Sequence, residues 1–238
     1  MIKIILFLFI SIMLLARGYD APDNRSQAKN LLKMIDLDYK IARLSGCSYT
    51  YDTTSCMDKT IVDMSTCDVK DENQTIKWMQ VVTDTFFGRN MACMNEKICT
   101  NVFTKAKFGS PMCCRRVNTT YKKMEADLFN LIPVLSEVAS KRGTRTFSDV
   151  RYPSFSVGTL RFDANSLEPS DKVKGDIARV YLYMDKRYGL ELSKHQKEVF
   201  KKWHRLDPVD AHECVVAKII LKVQGGHNTL VEEGCKKQ

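Results

Sequence analysis

Histidine is scarce and confined. The 238 residues hold four, at 195, 204, 212 and 227, so the first 194 residues have none. A general base drawn from that stretch is therefore not an imidazole. Beyond residues 4–15 no apolar run is long enough to cross a bilayer. No stretch is rich in Pro, Gly or Ser and no segment repeats, so residues 19–238 are expected to form one domain. The cysteines, though numerous, lack a convincing zinc spacing.

Residues 1–18 read as a secretory signal peptide. Lys3 supplies the positive start, residues 4–15 the apolar segment, and Ala16 and Gly18 the small residues before cleavage. Removing Lys3 and Arg17 takes the net charge from +9 to about +7. That balance favours polyanionic partners, though many exported proteins are basic. The exported chain is expected outside the cell, or in the periplasm of a bacterium. Nine cysteines follow, at 47, 56, 67, 93, 99, 113, 114, 214 and 235, and in an exported chain they read as a disulfide framework. Cys47, Cys67, Cys93, Cys113, Cys214 and Cys235 are candidates, with Cys214–Cys235 the best single pairing because both stand apart. Nine is odd, so one thiol is free or joins another chain. Asn24, Asn73 and Asn118 each open an Asn-X-Ser/Thr sequon and are glycosylation candidates in a eukaryotic source.

Helices are expected over about 26–42, 120–131, 171–188, 193–206 and 209–223. Gly189 stops the third, and Ser193 with Gln196 forms a capping box for the fourth. Residues 76–87 are β-branched and aromatic and read as a strand, or a strand entering a turn. Residues 45–75 suggest short strands or coil. Residues 88–118 suggest a disulfide-stapled loop, and 140–168 an irregular segment with Lys141, Arg142 and Arg145 in a basic loop. The fold class is α+β, mainly α.

Residues 113–133 concentrate the polar chemistry. Arg115, Arg116, Lys122 and Lys123 are candidates for nucleic-acid phosphate. On a helix over 120–131, Asp127 and Asn130 share a face where two oxygens can hold Mg²⁺ or Ca²⁺, with Glu125 off it. The same pattern also fits an ordinary amphipathic helix with Met124, Leu128 and Leu131 inward.

Several ordered runs resemble the endonuclease I family of exported, disulfide-bonded, non-specific DNases of the His-Me finger (ββα-metal) type. They are MEADLFNLIP (124–133), GDIARVYLYM (175–184), YGLELSKHQKEVFKKW (188–203), DPVDAHEC (207–214) and KVQGGHN (222–228). The resemblance is good from 113 to the end and weaker over 26–112. It implies a small ββα-metal-like core. It also implies a strand ending Trp-Glu-His-Val-Val-Pro, whose His activates water and whose Glu, with a helix Asn, holds a divalent metal. Asn130 matches that Asn, but the strand here reads Trp78-Met79-Gln80-Val81-Val82-Thr83. Met79 stands at the metal Glu and Gln80 at the general base. An amide has no proton-accepting state near pH 7, and a thioether is a soft ligand for a hard cation. The supporting Arg also has no counterpart near residues 109–113. Glu72 and Glu96 are the candidates for displaced ligands.

Three readings follow. In the first, the chain is a pseudonuclease that binds DNA or RNA without sequence preference and needs no cofactor. In the second, it is an active endonuclease with a rearranged, Mg²⁺-dependent site. In the third, it is an exported interaction protein that reuses the scaffold against an unidentified protein, with Phe86, Phe87, Tyr49 and Tyr51 as contacts.

Overall fold

The structure, a computed structural model, describes residues 21–35, 41–51, 60–67, 69 and 73–237. The expected signal peptide, residues 36–40 of the expected first helix, Glu72 and Cys56 lie outside the described residues, while Ile41 and Ala42, expected to close that helix, are not helical because Ile41 bridges antiparallel to Ser48. Helix α1 covers Arg25–Ile35, with Asn24 Oδ1 accepting from the amides of Ser26 and Gln27. Strands β1 (Tyr49–Tyr51) and β2 (Thr60–Val62) pair antiparallel.

Strand β3 (Ile76–Gln80) is shorter than the apolar run that announces it. Thr83 ends the run by capping a one-turn helix, α2 (Asp84–Gly88), its hydroxyl accepting from Phe86 N. Residues 88–118, expected as loop, hold helix α3 (Ala92–Asn95), the β4 (Cys99–Thr100)–β5 (Lys107–Phe108) pair and helix α4 (Pro111–Val117). Ser110 as N-cap and Pro111 just inside it are ordinary helix-start signals.

Helix α5 (Thr119–Ala126) stops well short of Leu131. Asp127 leaves the helix in an extended conformation and caps a short 3₁₀ turn, Leu128–Asn130. Strand β6 (Leu131–Leu135) follows and pairs antiparallel with β3, in a register that sets Trp78 opposite Pro133 and Gln80 opposite Leu131. Proline is tolerated because a two-stranded ladder leaves alternate amides unbonded.

Helix α6 (Ser136–Arg142) runs back over this pair. The supposedly irregular 140–168 segment then builds a four-stranded sheet in the order β7 (Thr146–Phe147), β10 (Ser166–Glu168), β9 (Leu160–Phe162), β8 (Phe155–Val157). Strands of two or three residues are too short to show alternation, so they escape a pattern reading.

The long helices obey their patterns. They are α7 (Lys174–Tyr188), closed by left-handed Gly189, α8 (Lys194–Leu206), with the Ser193–Gln196 capping box, and α9 (Ala211–Gln224). Helix α10 (Thr229–Cys235) was not expected. Val199, Phe200 and Trp203 of α8 are buried in the main core, which also gathers β3, β6, α5 and α7. Each such side chain contributes roughly 1.5–3 kcal/mol by leaving water.

Among the described residues four disulfides join Cys47–Cys67, Cys93–Cys114, Cys99–Cys113 and Cys214–Cys235. The first includes neighbours of the β1–β2 pair, the next two staple 93–114, and the last ties α10 to α9. The fold is α+β and disulfide-stapled.

Candidate functional site

Trp78, Met79 and Gln80, at the end of β3, are 8%, 8% and 5% exposed. The strand is held there by Asn130, whose side chain has no exposed surface. Its Oδ1 accepts from Val82 N at 2.7 Å and its Nδ2 donates to Val82 O at 3.0 Å. The backbone adds Val81 N to Asn130 O at 2.8 Å. Asn130 is thus a clamp on the chain just past Gln80, with both ends of its amide engaged.

Asp127 is not on a helical face with Asn130, because the helix has already ended. Its carboxylate is buried and accepts from the Tyr183 hydroxyl (2.8 Å), the Tyr188 hydroxyl (2.7 Å) and Gln224 Nε2 (3.0 Å). Burial pushes its pKa up, against the downward pull of these donors. Glu125 faces elsewhere. It takes two bonds from Arg115 Nε, at 2.8 and 2.9 Å, and Arg115 also reaches Asp84 at 3.3 Å. The hydrogen bond to Glu125 is the main reason the Arg115 pKa is raised.

These residues do not fit a divalent cation. A hard cation wants several free oxygens, yet Met79 offers sulfur, Asn130 is spent on Val82, and each nearby carboxylate already has cationic or hydroxyl partners. Among the described residues no three His, Cys, Asp or Glu side chains cluster as ligands. Glu96 is exposed and does not line this region. The histidines are elsewhere. His195 and His227 are exposed. His204 is held down by burial and Arg179, and His212 is lowered to about 4 by burial and Arg43.

A cavity of about 340 Å³ opens beside Met79 and Gln80. Its wall includes Arg25 and Lys29 of α1, Lys77 of β3, Asp84, and Arg142 at the end of α6. Arg142 was expected in a basic loop, but it ends helix α6, is 1% exposed and donates to the carbonyls of Gln80, Val81 and Arg145. Burial lowers its pKa to about 10, which leaves it cationic at neutral pH.

The cavity's cations escaped the sequence reading, although two signals pointed to them. Arg25 and Lys29 are four apart on one helical face, and Lys77 and Met79 alternate onto one face of β3. Only the tertiary fold brings the two sets together.

The predicted basic cluster divides. Arg115 is committed to carboxylates, and Arg116 reaches the Thr100 carbonyl at 3.4 Å. Lys122 and Lys123 line a separate groove of about 570 Å³ with Arg187, Tyr188 and Gln224. Asn24 and Asn73 are exposed and Asn118 is half-buried, its Oδ1 capping α5 through Tyr121 N at 2.8 Å. Phe87 and Tyr49 are buried at 5% and 2% exposure, so these two are core and not contacts for another protein. Phe86 is half-buried and packs edge-on against Tyr181.

The Endonuclease I family model matches residues 17–235. An "Endonuclease-1" of Buchnera aphidicola (subsp. Baizongia pistaciae) is 30% identical over 230 residues, covering 90% of this chain and 85% of its own. A "Periplasmic deoxyribonuclease" of Aeromonas hydrophila is 33% identical over 166 residues, covering 68% of this chain and 65% of its own. An "Extracellular deoxyribonuclease" of the same organism is 28% identical over 219 residues, covering 88% and 89%.

Proposed function

The chain belongs to the endonuclease I family, and from that premise we propose that it is an exported pseudonuclease. It keeps the nuclease scaffold, has lost the family's hydrolytic centre, and binds nucleic acid through basic surface. The carrying observation is the end of β3. Met79 and Gln80 stand there, buried, where the family resemblance implies a metal-holding Glu and a basic His. We read β3, β6 and α6 as the remnant of the ββα finger. Loss of a general base alone lowers a rate by about 10²–10⁴.

Export fits the four disulfides, which persist in oxidising compartments. It also fits relatives named as periplasmic and extracellular enzymes. No described helix is long and apolar enough to cross a membrane. The residues offered for nucleic-acid contact are Lys122 and Lys123, in their groove with Arg187 and Tyr188, and the cations around the β3 cavity.

The test is supercoiled-plasmid nicking by disulfide-bonded protein, in Mg²⁺ and in EDTA, with a mobility shift at two salt concentrations. The expected result is no nicking in either buffer and a shift that fades steeply as salt rises. Nicking that requires Mg²⁺ and stops in EDTA overturns the pseudonuclease reading. Absence of any shift at low salt removes nucleic-acid binding and turns attention to a protein partner.

A further inference from the structure

We propose that the disulfide-stapled β4–β5 hairpin docks on an anionic phospholipid surface. Its apolar tip enters the acyl boundary, and the lysines around the tip hold the headgroups. This goes beyond the nuclease reading and does not depend on whether the inherited centre works.

The first observation is a concentration of exposed apolar surface. Ten large apolar side chains are exposed among the described residues, and five of them fall between 98 and 117. Ile98 (52%), Val102 (61%) and Phe103 (91%) belong to the hairpin, and Met112 (61%) to α4. Arg116, one turn along α4 from Met112, reaches the Thr100 carbonyl at 3.4 Å, so that face of the helix lies beside the hairpin. Single exposed apolar residues are ordinary, but a group of them marks a binding surface.

The second observation is that the tip is braced. Strands β4 and β5 set Cys99 opposite Phe108 and Thr100 opposite Lys107. Asn101 Oδ1 accepts from the amides of Phe103 and Thr104, at 2.9 and 3.1 Å, and Asn101 N donates to Ala106 O at 2.9 Å. The Cys99–Cys113 bridge fastens β4 to α4, and Cys93–Cys114 fastens α3 to the next residue of α4. The hairpin therefore presents Phe103 to solvent from a fixed frame. A group held in its bound position loses less freedom on binding.

The third observation is charge of one sign. Residues 97–124 hold seven lysines and arginines and no aspartate or glutamate. Glu125, the next acid along the chain, is bound twice by Arg115. Lys97, Lys105 and Lys107 are exposed and make no ion pair among the described residues. Lysine stems can lie along apolar surface while their ammonium groups reach the headgroups. These features select the occupant. A second copy would set like charges face to face. Base stacking needs aromatic faces, whereas three of the four apolar groups named above are aliphatic. A projecting apolar apex ringed by lysines fits a surface that is anionic outside and apolar within, which is an anionic bilayer.

The experiment sediments the full exported protein, disulfides intact and in EDTA, with vesicles of phosphatidylcholine mixed about 3:1 with phosphatidylglycerol, and with phosphatidylcholine alone. Three variants accompany the wild type: Phe103→Ser, Phe103→Trp, and Lys97→Gln combined with Lys107→Gln. Lys105 is left in place because its φ of 60° is one that few side chains adopt. All the substitutions are at exposed positions, so Tm should stay within about 2 °C of wild type.

Wild type should bind the anionic vesicles more than roughly tenfold more tightly than the neutral ones. Phe103→Ser should weaken that binding by roughly tenfold, the scale of one aromatic side chain leaving water. The lysine pair should weaken it by about fivefold for each charge removed. The emission of Phe103→Trp should shift to the blue on adding anionic vesicles, since Trp78 and Trp203 are already buried. If Phe103→Ser binds like wild type and Phe103→Trp shows no shift, attraction is by charge alone and the inserted tip is overturned. Equal binding to both kinds of vesicle overturns the anionic surface. No binding to either overturns the proposal, and if Phe103→Ser then weakens the mobility shift of a nucleic acid, the tip belongs to that interface instead.

Discussion

Replacing Asn130 by Ala separates a structural clamp from a metal ligand. The wild-type side chain has no exposed surface, and its amide satisfies both the N–H and the C=O of Val82, itself fully buried. Truncation strands both backbone groups in the core. Each buried, unsatisfied group costs about 1–3 kcal/mol, giving a total of about 2–6 kcal/mol. For a chain of this size, at about 2–4 °C per kcal/mol, that corresponds to a fall in Tm of about 4–24 °C. Circular dichroism melts in EDTA read it directly.

Asn130→Asp refines the test. A carboxylate keeps the bond from Val82 N but sets an acceptor against Val82 O and buries a charge. The introduced acid should have a raised pKa, so its folded form gains protons relative to the unfolded chain. Stability should then recover as pH falls towards the ordinary carboxylate range, because the protonated acid can donate to Val82 O. A Tm within about 2 °C of wild type for Asn130→Ala would refute the clamp. A Mg²⁺-induced rise in wild-type Tm that vanishes in that variant would return Asn130 to the role of ligand.

Other expectations follow from other parts of the molecule. Arg179 is fully buried and bonds Asp176, Glu213 and the Asp207 carbonyl. Arg179→Met should destabilise by about 3–5 kcal/mol in urea titrations, and Glu213→Gln on that background should recover part of it, because the stranded charge is gone. If the second change brings no recovery, unpaired charge is not the cause. His212 is neutral in the fold, with a pKa near 4 set by burial and Arg43 against the opposing pull of Asp210. The unfolded chain binds its proton first as pH falls below about 6.5, so wild-type protein should lose stability relative to His212→Gln between pH 7.5 and 5. Parallel Tm–pH curves would contradict this. Graded dithiothreitol with alkylation and mass spectrometry should open Cys47–Cys67 and Cys214–Cys235 before the other two bridges. Cys67 and Cys235 are half-exposed, whereas Cys93, Cys99, Cys113 and Cys114 are 0–5% exposed. Simultaneous opening of all four would show that reduction waits on global unfolding.

What the sequence made legible was whatever is decided locally over a long enough window. Helices α7, α8 and α9 carry apolar stripes of several turns and recognisable ends, such as Gly189 and the Ser193–Gln196 box. The run from Thr120 to Leu131 looks equally helical, yet it breaks at Asp127. The reason lies 56 to 97 residues away, in Tyr183, Tyr188 and Gln224, which bind that carboxylate. Tertiary partners override propensity there. The same break removes the Asp127–Asn130 face and the cation site drawn on it. The sheet of 146–168 was hidden because its strands are shorter than one readable period. Of the candidate site, positions 79 and 80 were visible through family resemblance. The cavity cations needed α1 laid beside β3, which no local pattern records.

The Asn130–Val82 clamp also bears on how such a protein can change. The frame at the end of β3 is fixed by the amide of Asn130 and the guanidinium of Arg142, both acting on main-chain atoms. Those main-chain bonds do not depend on which side chains stand at 79 and 80. The locus therefore behaves like a socket whose contents can be swapped while the socket holds. The side chains at 79 and 80 can therefore be exchanged with little damage to this part of the fold. By the same logic Met79→Glu with Gln80→His would set a carboxylate and an imidazole on a main-chain frame already in place.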